Sequence, residues 1–237
     1  MTEVFTHLSP IAIAKTDFPN KFGIPKQPLL VENLFAQLHF NKEFSAPEFF
    51  EGLEKGRPIW TIFLFHLHGN FHKATVRPPA LGGKKRQGIF SSRSPHRPNP
   101  IGLSLLIFED ITFEKSGALM LVRGADFSDG TPILDIKPYL SHFDRPPHDF
   151  SMPEHWAEKN QRPLLQVLWS DEALENLNKF EMLTHKKLIE DVLKLDPRPA
   201  TQREIADKDF VQEFKNLCLH WNVKGECLTI FQVEKSF

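Results

Sequence analysis

The chain has 237 residues, 41% of them hydrophobic and 25% charged, with a formal net charge of −1. These proportions are ordinary for a soluble globular protein and exclude the disordered and fibrous classes. The length allows one large β domain or a large and a small one. Cys218 and Cys227 are too few for a disulfide framework and lack metal-ligand spacing, so they read as core or half-buried thiols and no metal site is expected. The opening MTEVFTHLSP lacks the basic-then-apolar pattern of a secretory signal, and no apolar run approaches the roughly 20 residues of a membrane span. No membrane association is expected, and the expected location is the cytoplasm.

In chain order, the first part is strand-like. Short apolar runs at Ile11–Ala14 and Leu38–Phe40 are followed by Ala46–Gly56, which predicts a helix with Ser45 as its N-cap. Ile59–His68, IWTIFLFHLH, is β-branched and aromatic and predicts a largely buried strand, in which a lone His66 reads as a satisfied core residue. Further strands are predicted at Gly88–Ser91, Leu103–Phe108, Ala118–Arg123 and Ile133–Ile136, an all-β pattern. From His142 to Pro153 the chain loses periodicity and gains proline, which predicts a linker. A strand at Leu164–Trp169 follows. Ser170 then opens a helix with Leu174, Leu177 and Phe180 at helical spacing, a second helix spans about Thr184–Leu195, and a hairpin turns at Lys224-Gly225. The expected organisation is a mainly β domain over 1–145 and a small α+β domain over 155–237.

Charge is unevenly spread. Between Glu54 and Glu109 the chain carries nine basic residues, Arg77, Lys84, Lys85, Arg86, Arg93 and Arg97 among them, and no acidic one. A polyanion senses this local field, because distant charges are screened beyond roughly 8 Å at physiological salt. The same stretch also reads as a solvated basic face. In RSPHRPNPIG, Arg93–Gly102, three prolines stiffen the backbone, so Arg93, His96 and Arg97 project from a rigid frame suited to an anion, or from a merely structural turn. TVRPPALGGKKRQG, Thr75–Gly88, sets a flexible Gly82-Gly83 pair beside Lys84-Lys85-Arg86, a phosphate-contacting surface or a solvated loop. Asp129-Gly130-Thr131-Pro132 reads as a tight turn whose backbone could approach a ligand. Dinucleotide, Walker, nucleophile-elbow and HExxH motifs are all missing, which disfavours the usual nucleotide folds.

Together, KFGIPKQP (Lys21–Pro28), TVRPP (Thr75–Pro79), Leu81-Gly82-Gly83, GIFSSRSPHRPNPIGLS (Gly88–Ser104), DGTP (Asp129–Pro132), DIKPY (Asp135–Tyr139) and DPRPA (Asp196–Ala200) make the chain resemble the TsaA-like, TrmO-type tRNA methyltransferases. The resemblance implies a β-barrel catalytic domain, S-adenosylmethionine as cofactor and a homodimer with the cofactor near the subunit contact. It also implies methylation of N6 of threonylcarbamoyladenosine at position thirty-seven, in the anticodon stem-loop of tRNA. By similarity the cofactor contacts are Pro25, Lys26, Gln27, His66, Leu67, Arg93, Leu103, Asp129, Gly130, Thr131 and Pro132. Arg77, Lys84, Lys85, Arg86 and Arg97 are the candidate tRNA contacts. Lys26 stands where the family usually has arginine, giving up a planar two-pronged donor. Lys73 and Ala80 also depart from the pattern, in the stretch expected to meet RNA. The proton acceptor for N6 is not fixed; His66, Asp129 and His96 are candidates by chemistry. Two other readings stay open, a non-catalytic RNA-binding protein and a methyltransferase acting on a small molecule.

Overall fold

The computed structural model describes residues 8–69, 72–78, 85–145, 163–203, 205 and 208–236. Six antiparallel strands close a barrel in the order β1-β2-β7-β6-β3-β8: β1 (Ala12–Lys15), β2 (Phe35–Phe40), β3 (Pro58–Leu64), β6 (Ile101–Glu114), β7 (Gly117–Arg123) and β8 (Pro132–Pro138). Alternation decides which side chains fill it, because successive strand residues point to opposite faces. Ala12, Ala14, Ala36, Leu38, Ile59, Phe63, Leu106, Met120 and Val122 are buried in one cluster. Gly102 lies against the ring of Phe63, where a Cβ would overlap it. The long β6 serves two neighbours, pairing with β3 through Ile101–Ile107 and with β7 from Ile107 to Glu114, with a bulge at Phe108/Asp110.

The predicted strands of the barrel are present. The predicted helix over Ala46–Gly56 is not: one 3-10 turn spans Pro47–Phe50, and positive φ at Gly52 and Gly56 turns the chain away from helix. Ser45 caps no helix. Its hydroxyl donates to the Asn41 carbonyl (2.8 Å) and accepts from the Ala118 amide (2.9 Å), tying the segment to β7. The strand predicted through His68 stops at Leu64, where the Phe65 amide turns to the Pro100 carbonyl, and His66–His68 form a 3-10 turn ended by Gly69 at φ 61°. His66 is therefore exposed at the barrel rim and is not a core histidine. Of the predicted strand Gly88–Ser91, only Gly88 is extended: it closes the two-residue β5 (Gln87–Gly88), which pairs with β4 (Thr75–Val76), and Ile89–Ser91 is another 3-10 turn.

After one helical turn, α1 (Ser141–Asp144), the described chain resumes in a four-stranded sheet ordered β10-β11-β12-β9: β9 (Gln166–Trp169), β10 (Asp209–Phe214), β11 (Leu217–Lys224) and β12 (Cys227–Lys235). Most of the predicted linker, from Pro146 onward, lies outside the described residues. Two helices pack here, α2 (Asp171–Lys179) and α3 (Lys186–Leu193). Ser170 caps α2 by accepting the Ala173 amide (3.1 Å), and Asp171 and Glu172 favour its positive N-terminus. Leu177, Ile189, Val192, Trp221 and Ile230 form the core. The same buried cluster also includes Phe18, Val31 and Leu34, which precede β2. Both cysteines are half-buried free thiols, as expected. Among the described residues no helix is long and apolar enough to cross a membrane.

Candidate functional site

Strand direction alternates around the barrel, so three connections emerge at one end: residues 16–34 between β1 and β2, 65–100 between β3 and β6, and 124–131 between β7 and β8. Every candidate cofactor residue except Leu103 and Pro132 lies in these connections, and those two sit in strands close to the same rim.

The Arg93 guanidinium donates to Gln27 Oε1 at 2.6 Å, joining the first connection to the second. His66 Nδ1 is 3.4 Å from the Thr131 hydroxyl, joining the second to the third. Gly130, at φ 75°, presents its Cα side to His66, and a Cβ there would stand 3.7 Å from His66 Nε2. Thr131 is buried and donates to the Ser128 carbonyl at 2.8 Å, which fixes the turn. Asp129 accepts the Thr16 amide at 3.0 Å and faces Lys15 Nζ at 3.4 Å, so its carboxylate locks the end of β1 to the turn. Lys26 and Leu67 are exposed nearby. Pro25 is buried beneath the loop, and Leu103 stands on the outer wall of β6 with 54% of its surface exposed. A cleft of about 480 Å³ between the barrel and Lys215 touches this set only through Asp129.

The electrostatics favour neutral imidazoles here. Burial lowers the pKa of His66, opposed by the Asp129 charge. Burial lowers His68 too, aided by the charge of Lys21, and burial with Lys73 and Lys21 lowers His96. The His68 and His96 rings meet edge-on at 5.5 Å. Sequence reasoning passed over Asp126. This carboxyl is largely buried, accepts the Ser104 hydroxyl at 2.5 Å and is pushed up to about 6 by burial, against the opposing pull of Ser104, its own backbone and Arg93. The strand periodicity ends at Arg123, so no alternation marks Asp126 as inward-facing. Ser104 was visible only as the last residue of a longer run.

Of the candidate tRNA contacts, Arg77, Lys85 and Arg86 are exposed around β4 and β5. Lys84 lies outside the described residues, as do Ala80 and Leu81-Gly82-Gly83. One Arg97 nitrogen donates to the Ser92 and Ser94 carbonyls (2.9 and 3.3 Å), so this arm of the guanidinium braces the proline-rich loop. Among the described residues there is no group of three His, Cys, Asp or Glu side chains placed to hold a metal ion.

The closed antiparallel barrel, with polar and cationic residues from three loops at one rim, defines a β-barrel protein outside the dinucleotide-fold classes. Residues 13–145 match the tRNA-methyltransferase O N-terminal domain, and residues 162–236 match the TrmO C-terminal domain. The chain belongs to the tRNA-methyltransferase O family. It is 32% identical over 234 residues to the tRNA (adenine(37)-N6)-methyltransferase of Escherichia coli strain K12, covering 94% of this chain and 96% of that protein. A Methanothermobacter thermautotrophicus protein named "Probable S-adenosyl-L-methionine-binding protein" is 29% identical over 144 residues, which cover 61% of this chain and 97% of that protein. The crystal structure of TrmO from Pseudomonas aeruginosa superposes with a TM-score of 0.76 at 29% identity, covering 100% of both chains.

Proposed function

We propose that this chain is an S-adenosylmethionine-dependent tRNA (adenine-N6)-methyltransferase and that its acceptor is threonylcarbamoyladenosine at position thirty-seven of the anticodon stem-loop, converted to the N6-methyl product. The observation that carries the reading is the 2.6 Å bond between Gln27 and Arg93, residues 66 apart in sequence, in a rim that also holds His66 and the Asp129–Thr131 turn. Family membership and the names of its relatives support the same assignment.

The residues at the rim suit an aminoacyl nucleoside. Arg93 can pair with a carboxylate, Gln27 offers a carboxamide, and Leu67 and Leu103 offer apolar surface to a purine. Pro25 acts from below as a rigid support for Lys26 and Gln27. When bound, the cofactor supplies a methyl group already activated by its sulfonium. The protein's task is then to align the acceptor nitrogen and exclude water. Carbamoylation delocalises the N6 lone pair, so the nitrogen sheds its proton as it reacts. His66, Asp129 and His96 are the candidate acceptors for that proton, and partial burial lowers the pKa of His66 and His96, which favours their neutral forms.

Lys84, Lys85, Arg86 and Arg77 are assigned to tRNA phosphates, and an unpaired anticodon-loop base can be turned into the rim for a few kcal/mol or less. Leu103 and Ile101, exposed on the outer wall of β6, support a homodimer in which a second copy covers this wall beside the site. The working division remains 1–145 for catalysis and 155–237 for the α+β domain, and a tRNA substrate fits a cytoplasmic enzyme.

Incubation with S-adenosylmethionine and threonylcarbamoylated tRNA, followed by nucleoside mass spectrometry, tests the assignment. A methyl gain on threonylcarbamoyladenosine, and none on tRNA lacking that group, is expected. Tight binding of cofactor and tRNA with no methyl gain would instead identify an RNA-binding protein. Turnover of a small acceptor indifferent to salt would identify the other alternative. Arg93→Ala is expected to lose cofactor affinity in calorimetry, and unchanged affinity removes Arg93 from the site.

A further inference from the structure

The connection between β1 and β2 is built into two cores. At its far end it is tied to the barrel, where the Leu29 amide donates to the Gly124 carbonyl (3.0 Å) and the Gly124 amide to the Leu34 carbonyl (2.6 Å). At its near end it is held by the C-terminal sheet. Phe18 packs edge-on against Phe214 at 5.9 Å, and Phe22 stacks on Trp221 at 6.4 Å, a ring that also stacks on Phe210. The Lys215 amide donates to the Asp17 carbonyl at 2.7 Å, and its ammonium meets the Asp17 carboxylate at 3.2 Å. Gly23, at φ 85°, sits on the side chain of Gln212 so closely that a Cβ would overlap the carboxamide. Gln212 is only 1% exposed, and its Oε1 has no hydrogen-bond partner among the described residues, so this polar group is buried without the usual compensation there. Pro25, Lys26 and Gln27 follow directly, suspended between the two anchors.

We infer that the C-terminal sheet sets the conformation of the Pro25–Gln27 loop, with Gln212 and Lys215 as positioning residues for cofactor recognition although neither belongs to the site. The inference rests on the reading of Gln27 and Arg93 as cofactor contacts. A loop held in its binding conformation before the ligand arrives loses less entropy on binding. Gln212 acts as the floor under Gly23, and glycine is required there by both the left-handed φ and the close approach. Four residues on, the Gln27 carboxamide meets Arg93. The α+β unit thereby gains a role at the methyl-donor site that is separate from any contact with tRNA.

The test uses full-length Gly23→Ala, Gln212→Ala, their double variant, Lys215→Ala and the site control Gln27→Ala. S-adenosylmethionine affinity is measured by calorimetry, affinity for unfractionated tRNA by anisotropy, and folding by circular dichroism. Gly23→Ala is expected to weaken cofactor binding by about tenfold while tRNA affinity stays within about twofold, because only the loop is displaced. The double variant is expected to recover part of the Gly23→Ala loss, since truncating Gln212 makes room for the new methyl while the left-handed φ at position 23 stays strained, and Gln212→Ala alone is expected to weaken cofactor binding by about threefold with tRNA affinity unchanged. Lys215→Ala, which removes a half-exposed tie, is expected to weaken cofactor binding by about threefold. It decides the matter if Gly23→Ala fails to fold. Wild-type cofactor affinity in Gly23→Ala or Lys215→Ala, or a double variant no better than Gly23→Ala, overturns the positioning role while Gln27→Ala still weakens binding. If Gln27→Ala also binds normally, the site assignment itself fails and the positioning role fails with it.

Discussion

Replacing Asp126 by asparagine isolates the cost of keeping a carboxyl under the rim of the barrel. Burial raises its pKa from 3.8 to about 6, so the folded chain holds its proton through a range in which the unfolded chain has released it. Stability falls with rising pH wherever the folded state binds more protons. The cost is therefore absent below pH 3.8, grows as pH climbs toward 6, and is fully present above that. Two pKa units at 1.36 kcal/mol each correspond to about 2–3 kcal/mol, taken toward the lower end because part of the carboxyl still reaches solvent. Asparagine is neutral throughout, and its Oδ1 can still accept the Ser104 hydroxyl. Asp126→Asn should match the wild type near pH 4 and exceed it by about 2 kcal/mol at pH 7. Urea denaturation followed by tryptophan fluorescence at several pH values measures this difference. His66, His68 and His96, whose lowered pKa values cost stability as pH falls below about 6.5, are common to both proteins and cancel in the comparison. A stability difference that does not change between pH 4 and 7 would refute the reasoning, because a constant offset would come from packing and not from ionisation.

Other outcomes follow from the same contacts. Arg198 forms a two-pronged pair with Asp196 (2.8 and 3.1 Å), both buried, and Arg203 Nε stands 3.0 Å from the same carboxylate, so Arg198→Ala should cost about 1.5–3 kcal/mol, the loss of its charged hydrogen bonds with Arg203 still compensating the carboxylate. A thermal shift equivalent to less than about 1 kcal/mol would count against that network. Gly102→Ala should destabilise by about 1–3 kcal/mol as its methyl displaces the Phe63 ring, read by denaturant midpoint; an unchanged midpoint would show that the ring moves freely. Lys85→Ala with Arg86→Ala should flatten the dependence of log tRNA affinity on log salt by about 0.7 for each phosphate these side chains neutralise, with cofactor affinity unchanged. An unaltered slope would remove these two residues from the RNA surface.

Much of the barrel could be read from alternation: Ala36, Leu38 and Phe40 on one strand, and Ala118, Met120 and Val122 on another, are the inward positions that a period of two predicts. The helices after Ser170 were likewise announced by a cap and helical spacing. Errors fell where hydrogen bonds to distant chain overrode local preference. Ser45 was diverted to Ala118, and the strand after Ile59 was cut short by Pro100.

By itself the sequence determined the class of fold, the rigid proline-braced loop from Arg93 and the family, because these rest on local periodicity, on proline's fixed φ and on motif order. Only the tertiary structure decided that Gln27 meets Arg93, that Asp126 is buried beside Ser104, and that the segment carrying Pro25–Gln27 is embedded in the C-terminal core. Such contacts join residues separated by 22 to nearly 200 positions. They depend on strand order and on which loops share a rim, and neither is encoded in any local window of residues.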